Sequence, residues 1–73
     1  MVTRRVAVET FRHFRIATFS SDGRFRALIS RVDGTPVHDL EGRLFNDFST
    51  ITCDTGEEAV LRARRMIDSG ELR

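Results

Sequence analysis

The residues able to act on a substrate are few in this chain and poorly spaced for it. Cys53 is the single cysteine, and His13 and His38 are the only histidines. Cys53 stands just before a stretch that reads as a helix start, where the helix dipole could lower a thiol pKa. No base is placed beside it, because both histidines lie in other segments. A cysteine that ends a strand is more often a small buried hydrophobe. One thiol makes no intrachain disulfide and suits a reducing compartment. Neither histidine stands in a CxxC or HxxxH spacing, so no metal and no cofactor is expected. Asp33, Asp39, Glu41 and Asp47 lack the calcium-loop spacing with its glycine at the sixth position and read as loop solvation. Without a nucleophile, an acid/base pair or a glycine-rich phosphate loop, the chain is expected to be a non-enzymatic binding or accessory module.

The chemistry the sequence does offer is anion recognition. All 12 basic residues are arginine, whose forked guanidinium matches phosphate and carboxylate, although GC-rich coding produces the same composition. The net charge of +1 conceals +5 over residues 1–31 and −4 over residues 32–73. Such polarity would steer an anionic partner to one side or bring two copies together head to tail. Arg15, Phe19, Arg24, Arg26 and Leu28 fall on one face of the hairpin described next. An aromatic among guanidiniums is how several single-strand binders hold nucleic acid, a base stacking on the ring while arginines meet phosphates. The same face also reads as a solvated surface, arginine stems covering Phe19 and Leu28, or as a homodimer interface. Leu61, about 100° round the helix from Val60, reads as an isolated exposed leucine or as a contact for a partner, and completes the candidate interaction face.

The elements that must position these residues are legible in part. Asp22-Gly23 suits the two positive-φ positions of a type I′ hairpin turn. With that turn as the loop, Ser21 faces Arg24, Thr18 faces Ala27, Ile16 faces Ile29 and Phe14 faces Arg31. Phe14, Ile16, Phe25, Ala27 and Ile29 then share a core face, and a one-residue slip would scatter them. Asp33-Gly34 ends the second strand. Residues 35–47 read as a long connection with a short strand or helical turn around Val37 to Leu44, and Val37, Leu40, Leu44 and Phe45 are expected to cover the core edge. Phe48 to Cys53, rich in β-branched residues, reads as a third strand. Asp54-Thr55-Gly56-Glu57-Glu58 holds two overlapping capping boxes. Val60, Ala63 and Ile67, flanked by Ala59 and Met66, make an apolar stripe, Glu58 with Arg62 and Arg64 with Asp68 are i,i+4 pairs, and Gly70 is a stop. A helix over about 55–69 follows. Residues 1–12 read as an extra strand, a turn of helix or a loosely held N-terminal arm.

The expected fold is therefore one α+β domain over residues 1–73, a small antiparallel sheet of a β-hairpin plus a third strand packed on one amphipathic C-terminal helix. The order of strands and helix resembles the double-stranded-RNA-binding fold in outline. That family opens its final helix with basic residues, where this chain has Thr55-Gly56-Glu57-Glu58, so the resemblance transfers no residue and no function. The chain also resembles short uncharacterised bacterial domains of strand-strand-strand-helix pattern. The matching pieces are Phe11-Arg12-His13-Phe14-Arg15-Ile16, Asp22-Gly23-Arg24-Phe25, Phe48 with Thr52 to Ala59, and Met66-Ile67-Asp68-Ser69-Gly70. This resemblance implies the fold and no activity.

At 73 residues the core is small, and mini-domains often add stability by oligomerising. The N-terminus lacks the apolar run of a leader or a membrane span, so a cytoplasmic protein is expected. A protein-interaction module, homodimeric through the sheet's outer face or edge, is the first functional reading. Weak single-stranded nucleic-acid binding through the basic outer face is the second.

Overall fold

In the computed structural model, which describes residues 3–73, Asp22 and Gly23 both adopt positive φ (52° and 74°), as a type I′ turn requires. Around that turn β2 (Phe14–Ser21) and β3 (Arg24–Arg31) pair antiparallel with Ser21 opposite Arg24, Thr18 opposite Ala27, Ile16 opposite Ile29 and Phe14 opposite Arg31. The pleat then sends Phe14, Ile16, Ala27 and Ile29 into the core, all under 8% exposed, with Phe25 half-buried beside them.

Residues 4–11 form a strand, β1 (Arg4–Phe11), hydrogen-bonded to β2 as a second hairpin. Its turn, Arg12-His13, carries none of the usual turn residues, and Arg12 takes φ 56°, a conformation that costs a non-glycine residue about 1 kcal/mol or more. Tertiary contacts hold it there. Arg12 donates to Asp68 at 2.8 Å, and both Arg12 and Arg64 lie over the Phe11 ring, at 5.4 and 5.6 Å.

After β3 the chain makes a two-residue hairpin of β4 (Val37–His38) and β5 (Leu44–Phe45). Val37 is fully buried, whereas Leu40 and Leu44, expected at the core edge, are 71% and 61% exposed. Leu44 pairs with exposed His38, on the face opposite Val37, and Leu40 lies in the intervening turn. Phe45 is half-buried, edge-on to Phe48 with centroids 5.2 Å apart, and Phe48 in turn packs against the core.

The third strand of the sequence reading narrows to β6 (Phe48–Ser49), which pairs with β3 and gives the sheet order β1-β2-β3-β6. Thr50 ends it, because the Thr50 hydroxyl oxygen takes the Ala27 N–H at 2.9 Å. The chain bows outward at Ile51 and returns at Cys53, which exchanges two backbone hydrogen bonds with Phe25.

The helix α1 (Gly56–Asp68) is capped by Thr55, whose Oγ1 accepts the Glu58 N–H at 3.1 Å. Beyond Ser69 it stops at Gly70, φ 82°, the left-handed position that glycine takes without strain. Ala59, Ala63 and Ile67 are buried against β2 and β3, while Val60 is only half-buried. The apolar stripe is thus centred one residue earlier than Val60. Glu58 and Arg62 pair at 3.7 Å as the spacing predicts. Arg64 and Asp68 instead turn to Glu9 and Arg12, at 2.7 and 2.8 Å, and tie the helix to the first hairpin. The chain then doubles back, burying Leu72 to 2% exposure while His38 and Arg73 exchange backbone hydrogen bonds at 2.8 and 2.9 Å.

Candidate functional site: the outer face of the sheet

One helix covers one side of this sheet. With Phe14, Ile16 and Thr18 facing inward, the register sends Arg15, Ala17, Phe19 and Ser21 of β2 outward, together with Arg24, Arg26, Leu28 and Ser30 of β3. From β1 come Arg5, Val8 and Thr10. These residues form cross-strand rows. Arg5, Phe19 and Arg26 make one; Val8, Ala17, Leu28 and Ser49 make the next; Thr10, Arg15 and Ser30 make a third. Neighbours in a row lie about 5 Å apart, so Phe19 stands between two arginines, Arg5 and Arg26. The apolar row lies between that pair and Arg15.

No outward-facing strand position carries a carboxylate. The nearest acids are Asp22, in the turn, and Asp54, whose carboxylate is 3.8 Å from Arg24 with both side chains largely exposed. Arg5, Arg15 and Arg26 make no ion pair among the described residues. A sheet face bearing only positive charge attracts anions, and the apolar row beneath it offers a surface for flat or greasy groups.

Phe19, Arg24 and Arg26 wall a shallow depression of about 370 Å³ at the hairpin end of this face, with Asp22 of the turn and Phe25 also lining it and Thr3, Ser21 and Thr52 on its rim. Arg15 and Leu28 belong to the same face but lie outside the depression. Leu61 does not join them. It lies on the helix side of the sheet, lining a separate groove with Val6 and Val60, so the six candidate residues divide into two surfaces. Arg5 and Val8 were not singled out in the sequence, since their face depends on pairing with β2 and on the bulge between Arg5 and Ala7.

The remaining candidates occupy structural positions. Cys53 is 3% exposed and directs its thiol toward the Ile51 carbonyl at 3.5 Å. Asp39 folds the turn of its loop, accepting the Glu41 and Arg43 amides at 2.9 and 2.8 Å and the Arg43 guanidinium at 2.7 Å. Burial pushes its carboxyl upward, and the hydrogen bonds from Arg43 and Glu41 outweigh that and hold it below the ordinary value. Asp33 is lowered by the Thr35 hydroxyl first and the Thr35 amide second. No group of three or more metal-ligating side chains converges among the described residues.

Comparison with protein-family models, with curated proteins and with solved structures finds no match.

Proposed function

We propose that this domain is a non-enzymatic binding module whose outer sheet face holds single-stranded nucleic acid. The observation that carries the reading is the depression walled by Phe19, Arg24 and Arg26 on a face where no strand residue is acidic. A base stacks on the Phe19 ring and its neighbouring phosphates meet Arg24, Arg26 and Arg5. The charge on this face also separates the reading from self-association across it. Two copies stacked face to face would set arginines against arginines, with no carboxylate at an outward strand position to pair them and only Asp22 and Asp54 at the margin. No described helix is long and apolar enough to cross a membrane, and a cytoplasmic setting would keep Cys53 a thiol.

Titration of a fluorescently labelled mixed-sequence oligonucleotide at low salt tests the proposal. Saturable binding is expected, weakened by Phe19→Ala by the 1–3 kcal/mol typical of a lost stacking platform, about fivefold to more than a hundredfold in Kd. Arg26→Glu should weaken it further. The absence of binding at low salt, equal loss for Phe19→Ala and an exposed control such as Leu40→Ala, or tighter binding of the matched duplex would each overturn it.

A further inference from the structure

The strand β1 forms one edge of the sheet, paired to β2 on one side and, among the described residues, to nothing on the other. The helix packs over β2 and β3, so the inward side of β1 overhangs it. Between them runs a groove of about 530 Å³, with Val6, Ala7, Val60 and Leu61 as its sides and Thr18 and Gly56 as its floor. Val6 and Leu61 are 54% and 52% exposed there. Glu9 and Arg64 also line it and neutralise each other at 2.7 Å. Glu57 is the remaining charge, and it lies toward the Arg4–Ala7 end, because Gly56 packs against Thr18, the partner of Ala7. Arg4, opposite Ser20 on the inward face, stands at that end and makes no ion pair among the described residues.

A free edge presents backbone donors and acceptors that another strand satisfies. A strand laid there would send alternate side chains into the groove. We propose that this edge and groove receive an extended peptide of a partner protein, added as a further strand beside β1. Its inward side chains are apolar and fill the space between Val6 and Leu61, and it carries a carboxylate beside Arg4. This is recognition by strand addition, in which the backbone supplies affinity and the alternate pockets supply selectivity. A second copy of the chain fits less well. The bulge between Arg5 and Ala7 leaves Ala7–Phe11 as the regular part of β1. Two such segments, antiparallel with matching faces over that whole length, place Glu9 opposite Glu9, and like charges directly opposed are destabilising. The site is on the groove side of the sheet and is independent of the nucleic-acid reading.

Selection of a randomised heptapeptide library on the wild-type protein and on Leu61→Arg tests it. The expected consensus alternates apolar residues and includes an acid. The synthesised consensus peptide should slow amide exchange along β1 and should bind Leu61→Arg at least about tenfold more weakly. Val6→Asp, changed at another exposed groove position, should behave alike, and both variants should retain oligonucleotide binding. No enrichment over Leu61→Arg would overturn the proposal. So would protection that falls on Phe19 and Arg26 instead of β1, or a peptide-free dimer whose interface is β1.

Discussion

Two buried threonines, one strand apart, show how differently the same side chain can be used. Thr50 accepts the Ala27 N–H with its hydroxyl oxygen and donates toward the Ile51 carbonyl at 3.2 Å. Thr18, 2% exposed, has a hydroxyl with no partner among the described residues. Replacing Thr50 by valine leaves a buried N–H unpaired and should cost about 1–3 kcal/mol, whereas Thr18→Val keeps the shape, removes an orphaned group and should stabilise by up to about 1 kcal/mol. Thermal melts of the two variants should move in opposite directions, and a fall in Tm for Thr18→Val would show that its hydroxyl has a partner in solution. Asp33 and Asp39 supply the acid limb. Both carboxyls are held below their unfolded values, so their stabilisation is complete above the unfolded carboxylate pKa and is lost as pH falls below about 4. Melts between pH 2 and 6 should show this loss, and Asp39→Asn should flatten it. Neither threonine's role could be read from the sequence, because a β-branched residue in a strand pattern does not reveal which hydroxyl meets a donor.

At the scale of elements, the parts with local signals were legible and the parts held by distant contacts were not. The Asp22-Gly23 hairpin and its register follow from turn chemistry and period-two alternation, and the helix boundaries follow from Thr55 and Gly70. The first hairpin shows no such signal. Its turn is Arg12-His13, and a left-handed arginine is sustained only because Asp68 and the Phe11 ring, which the fold delivers, hold the side chain. The C-terminal return is equally non-local. Leu72 fills the core beside Val37 and Ile67 while Arg73 pairs with His38. Leu72→Ala should cost about 2–5 kcal/mol, a large share of the roughly 4–11 kcal/mol expected for a domain of this length. Denaturant titration should show a lower midpoint, and loss of protection at the His38 amide would tie the effect to the return. An unchanged midpoint would mean that residues 71–73 do not anchor the fold.

Across the whole molecule, the basic first half and acidic second half translate into separate surfaces. Arg5, Arg15, Arg24 and Arg26 face outward from β1, β2 and β3, and most of the acids ride on the loops and the helix. If Arg5, Arg15, Arg24 and Arg26 each neutralise one phosphate, log K should fall with log salt at a slope of about −3 for a single strand, and Arg15→Ala should reduce that slope by about 0.7. A salt-independent affinity would rule out phosphate contact as its source. The sequence by itself determined the α+β class, the central hairpin with its register, the capped helix and the arginine-bearing face of β2 and β3, because each rests on contacts between residues close along the chain. Only the tertiary structure decided that β1 joins the sheet, that Arg5 and Val8 enlarge the outer face and that Leu61 belongs to a groove on the other side. Those outcomes depend on which surfaces the single helix covers and on ion pairs spanning some fifty residues, Glu9 to Arg64 and Arg12 to Asp68. No local pattern of residue types encodes either.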